Sequence, residues 1–216
     1  MPLSRWIALV LCFALHTATA QTSETQVFTD VRLIVGDGSL IEQGAMVVRA
    51  GVIQDVGTTA SVSVPAGATV HELAGRTVMP ALVNTHAHLG WEAYGDWGSQ
   101  YFTAANLIDH LYRHAYYGVG TIISTGSDLE SVAQRVKLEQ QGGNIGGARY
   151  HMSPGMGTPG GGPNPRFTDD PNYWGVNAIA DPEQAARMVR DLARSGYGIA
   201  KIWVDGRDER RGAEIK

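Results

Sequence analysis

His86 and His88 stand one residue apart at the end of a short apolar run, Ala81 to Thr85. Successive side chains of a strand alternate between faces, so a strand here puts both imidazoles on one side and Ala87 on the other. Two imidazoles at a strand end suit a divalent metal such as zinc, which binds neutral histidine nitrogen. The spacing alone is equally compatible with two unrelated polar histidines. A second candidate is Lys201, within Gly198-Ile-Ala-Lys-Ile-Trp-Val-Asp205. Alternation groups Ile199, Lys201 and Trp203 on one face. A lysine enclosed in an apolar strand is driven toward its neutral, nucleophilic form, and such an amine takes up carbon dioxide to give a carbamate, an anionic oxygen ligand. The alternative is a cationic lysine whose head reaches water from the strand end.

Other residues carry weaker signals. His110 and His114 are four apart on a helical stretch, but the intervening Leu-Tyr-Arg lacks the glutamate of H-E-x-x-H, so a solvated helix face is expected. His71 is expected at the surface. His151 ends a strand and is a candidate substrate contact, or else an ordinary hydrogen-bonded histidine. Trp91 and Tyr94 follow the histidine pair and are candidates to wall a substrate pocket, or else packing residues. Gly155 to Gly175 is long enough for a lid. It contains Gly160-Gly-Gly162 but no P-loop lysine, so no phosphate cradle is expected.

The elements that must position these groups are legible as two regions. From Val27 to Val78 the chain reads as short strands rich in β-branched residues and punctuated by glycine: Val31 to Val35, Ala45 to Arg49, Val52 to Val56, Thr69 to Leu73 and Thr77 to Met79. From Pro80 onward strand and helix alternate. Strands are expected at Ala81 to Thr85, Val119 to Ser124, Ala148 to Met152 and Ile199 to Val204. Helices are expected at Ala104 to Tyr117, Asp128 to Gln141 with Ser127 as N-cap, and Pro182 to Arg194 with Asp181 as N-cap. Four strand–helix alternations predict a parallel sheet. It is either a small doubly wound sheet or the first half of a (β/α)8 barrel. No G-x-G-x-x-G follows the first strand, so a dinucleotide site has no support.

Residues 1–20 read as an export signal: Arg5 supplies the positive start, Trp6 to Leu15 the apolar stretch, and Ala18-Thr19-Ala20 the small-residue cleavage site. The expected location is the periplasm or outside the cell. The only cysteine, Cys12, lies within that signal, so the mature chain has no disulfide and no thiolate ligand. A formal charge of −4 over 216 residues, with no run of like charges, gives no footprint for nucleic acid and no polybasic patch for a membrane surface.

Gly75-Arg-Thr-Val-Met-Pro-Ala-Leu-Val-Asn-Thr-His-Ala-His88 resembles the signature of the amidohydrolase superfamily. The stretches Asp30 to Gly38 and Val52 to Gly57 are similar to that family's sandwich strands. One departure is Ala81, where the family most often has glycine after the proline. The resemblance implies a β-sandwich portion over residues 21–78, then the first half of a metal-dependent hydrolase TIM barrel over residues 79–216. It implies metal ligation by His86 and His88, and a carbamylated Lys201 bridging one or two divalent ions, zinc being the expected metal. A metal-activated hydroxide would then cleave amide, cyclic amide or dipeptide C–N bonds in a small molecule. The family's later histidines and its acid/base aspartate are not assigned here, and Asp205 and Asp208 lie at the wrong strand for that role. No catalytic residue is therefore named. The isolated polypeptide is expected to be a fragment, inactive alone, and poorly soluble or a homo-oligomer, because a half barrel leaves strand edges unpaired. Two other classes remain open: a non-catalytic metal-binding module, and a solute-binding protein with a doubly wound sheet.

Overall fold

The computed structural model describes residues 24–157 and 176–204. The export signal with Cys12, most of the Gly155 to Gly175 stretch, Asp205 and Asp208 lie outside the described residues. The chain divides into two compact units at Pro80–Ala81.

The first unit is built from strands β1 (Thr25–Ile34), β2 (Leu40–Arg49), β3 (Val52–Thr58), β4 (Thr69–Glu72) and β5 (Thr77–Val78). They form one sheet in the order β3-β2-β1-β4, with β5 also on β1. The described strands thus make a single layer, where a sandwich has two facing sheets. β1–β2 and β2–β3 are antiparallel, whereas β4 and β5 run parallel to β1. A two-residue turn, Ala50 and Gly51, joins β2 to β3; both residues have positive φ, which matches the twist of the flanking strands. β1 extends further toward the N-terminus than its apolar pattern predicts. Its early residues earn their pairing from Val27, which is fully buried with Ala45, Val47 and Val62.

The second unit contains β6 (Leu82–Ala87), a small hairpin of β7 (Glu92–Ala93) and β8 (Asp96–Trp97), α1 (Ala104–Tyr116), β9 (Val119–Thr125), α2 (Glu130–Gln141), β10 (Arg149–Ser153), β11 (Gly155–Gly157), β12 (Val176–Ala178), α3 (Pro182–Arg194) and β13 (Lys201–Trp203). β6, β9 and β10 pair in parallel in that order. After Pro154 the line of β10 continues as β11, which pairs in parallel with β12 and β13. Ser153 to Ala180, rich in Gly and Pro, reads from its composition as one long loop, but it includes β11 and β12.

Burial explains which face goes where. Leu107 and Leu111 of α1, Ala133 and Val136 of α2, and Ile122, Tyr150 and Met152 of the sheet are all buried in one cluster. Helices therefore cover one face of the sheet, and Ala87 packs against that cluster too. His86 and His88, the latter just past the strand end, are both exposed, and neither joins that cluster. Thr103 caps α1 by accepting from the Asn106 amide, and Asp181 caps α3 by accepting from Gln184. None of the described helices is long and apolar enough to cross a membrane.

Candidate metal centre

β6 delivers His86 and His88 to its C-terminal end with ring centroids 5.4 Å apart and planes at 66°. β13 brings Lys201 from far along the chain: its Nζ lies 3.1 Å from His86 Nε2. The backbone of Lys201 is fixed by its amide donating to the Pro154 carbonyl at 2.9 Å. Lys201 is half-buried, with its amine 5.3 Å from the centroid of the Trp203 ring. The strand around it is not the enclosed apolar strand expected, since Ile202 is 60% and Val204 82% exposed. Lys201 reaches the histidines because of where β13 sits in the sheet.

His88 has a fixed partner. Its Nδ1 lies 2.8 Å from Ser127 Oγ. Part of the ring is open to solvent. Desolvation of the rest, followed by the neighbouring His86 and Lys201 charges, lowers its pKa and favours the neutral imidazole. Ser127 was expected to cap α2. The helix instead starts at Glu130 with Leu129 in the cap position and no side-chain cap, because the Ser127 hydroxyl is engaged by His88.

Several supporting residues were not foreseen. The amide of Leu89 donates to Ser124 Oγ at 3.3 Å, and that hydroxyl donates to Asp128 Oδ1 at 2.6 Å. Tyr150 donates to Asp128 Oδ2 at 2.9 Å. Burial pushes the Asp128 carboxyl up to about 6. His110 does not sit on a solvated helix face as expected: its Nδ1 accepts from the Gly90 amide at 3.1 Å, and its Nε2 donates to the Glu92 carbonyl at 3.0 Å. Both ring nitrogens are used, which requires the neutral ring. Asn106 Nδ2 adds donors to the carbonyls of Gly90, Glu92 and Tyr101. α1 thereby holds the loop that leaves the histidine pair. These roles depend on long-range contacts; periodicity places both residues on a helix and says nothing of the loop above.

The other sequence candidates fall elsewhere. Trp91 is 1% exposed, donates its indole N–H to the Ser127 carbonyl at 2.8 Å, and packs edge-on against Phe102, so it is a core residue and does not wall a pocket. Tyr94 is fully exposed at a turn with positive φ. His151 is exposed between the buried Tyr150 and Met152, so it projects from the face opposite the helices. No contact of His151 with His86, His88 or Lys201 is seen among the described residues. His71 is half-buried and stacked on Phe28 at 4.9 Å, where a surface residue was expected. A cavity of about 860 Å³ is lined by Asp128, Ser153, Asn177, Met188 and Tyr197 among others, with neither His86 nor His88 in its wall.

Among the described residues no three His, Cys, Asp or Glu side chains gather. The donor set that does gather is two imidazoles and an amine. It fits a divalent cation in that His88 has one ring nitrogen engaged by Ser127, which leaves the other for an ion.

No family model matches the sequence. Over 85 residues the chain is 38% identical to imidazolonepropionase of Deinococcus radiodurans, covering 38% of this chain and 21% of that protein. Among solved structures, a Bifidobacterium longum protein assigned as a prolidase matches with 26% identity and a TM-score of 0.64, over 86% of this chain and 42% of that one. A Xaa-Pro dipeptidase with bound methionine in its active site matches with 21% identity and a TM-score of 0.68, over 85% and 48% of the two chains. The chain thus spans about a fifth of the curated relative and less than half of these structures. Taken with the paired histidines at a strand end, these likenesses relate the chain to the amidohydrolase superfamily.

Proposed function

We propose that this chain carries the first metal ligands of a hydrolase for carbon–nitrogen bonds in small amides or peptides. The observation that carries this reading is the approach of Lys201 Nζ to within 3.1 Å of His86 Nε2 across 115 residues of sequence. In this reading His86 and His88 each offer a ring nitrogen, and Lys201, as its carbamate, offers oxygen to one or two ions. When bound, the divalent cation, with zinc as the expected metal, supplies Lewis acidity for hydrolysis. His88, with its lowered pKa, stays neutral and available near neutral pH. His110 and Asn106 keep the following loop from moving away.

The architecture favours the first half of a (β/α)8 barrel. β6, β9 and β10 follow chain order in one parallel sheet, and β11, which continues the line of β10, pairs in parallel with β13, with α1, α2 and α3 in the crossovers. Barrel enzymes gather their chemistry at the C-terminal strand ends, where the histidine pair stands. The dipeptidase likeness favours a small peptide substrate, and the small-residue site after the N-terminal apolar stretch supports work in the periplasm or outside the cell.

Elemental analysis of purified wild type against His86→Ala and His88→Ala, followed by hydrolysis assays on prolyl dipeptides and cyclic amides, tests this. The expected result is bound divalent metal in the wild type, lost in both variants. Equal metal content in all three proteins refutes the reading. Metal bound without hydrolysis of any amide offered would favour a metal-binding module.

A further inference from the structure

The turn from β9 into α2, Ser124 to Asp128, touches both sides of the candidate centre. On one side it grips the end of β6 and the loop beyond through four hydrogen bonds. Thr125 Oγ1 donates to the Ala87 carbonyl at 3.1 Å, Ser127 Oγ meets His88 Nδ1 at 2.8 Å, Ser124 Oγ accepts from the Leu89 amide at 3.3 Å, and the Ser127 carbonyl accepts from the Trp91 indole at 2.8 Å. On the other side Gly126 faces β13. A Cβ on Gly126 would lie 2.1 Å from Trp203 Cη2 and 2.9 Å from Lys201 Cγ, and its φ is +76°. The turn itself is anchored, with Asp128 held by Ser124 and Tyr150 and the Gly126 amide donating to the Ser153 carbonyl at 2.7 Å.

We propose that this turn is the positioning platform of the centre: Ser127 accepts the Nδ1–H of His88, and Gly126 leaves the space through which Lys201 reaches His86. The proposal rests on the reading of His86, His88 and Lys201 as ligands. Its logic is steric and tautomeric. A histidine that gives its Nδ1–H to a fixed acceptor keeps its lone pair on Nε2, where a cation can take it. The opposite tautomer carries N–H at Nε2 and is closed to a cation. Ser127 is suited to fix this choice because it is buried, and its carbonyl is tied to a core tryptophan. At Gly126 any side chain displaces Trp203 and Lys201 together, moving the amine off His86. Ser127 and Gly126 are positioning residues, since neither is itself a ligand here.

Two readouts on the whole chain test the platform: ¹⁵N shifts of the histidine rings in metal-free protein, and affinity for zinc by competition with a chromophoric chelator. The variants are Ser127→Ala, Ser127→Thr, Gly126→Ala and His88→Ala, each checked for folding by circular dichroism. Wild-type His88 is expected as the Nδ1–H tautomer. Ser127→Ala is expected to mix the tautomers and weaken zinc binding about tenfold or more, and Ser127→Thr to restore both. Gly126→Ala is expected to weaken zinc binding while leaving the His88 tautomer unchanged. An Nε2–H tautomer in the wild type, or no response to Ser127→Ala, overturns the role of Ser127. Wild-type zinc affinity in Gly126→Ala overturns the role of Gly126. Undiminished zinc binding in His88→Ala sinks the metal-centre reading instead, and the metal-free tautomer measurement still decides the role of Ser127.

Discussion

Raising the pH should cost this protein stability through Asp128. Its carboxyl is half-buried beside the histidine loop, accepting from Ser124 and Tyr150. Burial outweighs the two hydrogen bonds, and together they leave its pKa raised from 3.8 to about 6. Between those two values the native state binds more proton than the unfolded chain, so stability falls as pH rises. The contribution is complete below about pH 4 and is lost as pH climbs through about 6. A shift of about two pKa units, at about 1.4 kcal/mol each, amounts to about 3 kcal/mol. Asp128 is half-buried and lines the cavity, so access of water makes this figure an upper bound. Urea unfolding of wild type and Asp128→Asn at a series of pH values measures it. Subtracting the variant removes the contributions of His88 and His110, whose lowered pKa values act with the opposite sign. The wild-type-minus-variant stability should fall between pH 4 and pH 7, by at most about 3 kcal/mol. A flat or rising difference would refute the assignment of a buried, raised carboxyl.

Two further outcomes follow from the loop that leaves the histidine pair. Asn106→Ala removes the donors to three carbonyls at 3.0 to 3.1 Å and should cost about 1–3 kcal/mol, with faster amide exchange across residues 90–101. Unchanged exchange there would mean the loop is held by other contacts. His110 is used at both ring nitrogens in its neutral form, and burial lowers its pKa. Its stabilisation is therefore complete above about pH 6.5 and is lost as pH falls through the lowered value. Thermal melts at pH 5 and pH 7.5 should show a smaller acid-side loss in His110→Gln than in wild type, and an equal loss in both proteins would count against it.

Local pattern carried a large share of the fold. The apolar spacing of Leu107 and Leu111 marks the buried side of α1, and Asp181 before Pro182 marks the start of α3. Alternation around Ala87 predicts which way the paired histidines face. What local pattern does not contain is competition for a side chain by a distant partner. Ser127 has the right type and place for a helix cap, yet His88, 39 positions earlier, takes its hydroxyl. Trp91 sits where a pocket wall is plausible, yet the carbonyl of Ser127 and the ring of Phe102 draw it into the core. Lys201 was expected to be enclosed by its own strand, whereas its neighbours Ile202 and Val204 are exposed and the sheet order delivers it to His86. The short strands β11 and β12 lie in a stretch whose composition reads as loop; parallel pairing with partners far away makes them strands.

One edge of β1 has a consequence for how the polypeptide is made. Gln26 to Thr29 seat β4 and Arg32 to Leu33 seat β5, so a single strand docks two segments that follow some forty residues later. During synthesis the hairpins of β1, β2 and β3 can form from nearby residues, but that edge stays bare until Val78 has left the ribosome. The segment that finally covers it runs directly into Pro80 and then into β6, which carries His86. Translation therefore presents the nascent histidine pair just as the preceding layer becomes able to close.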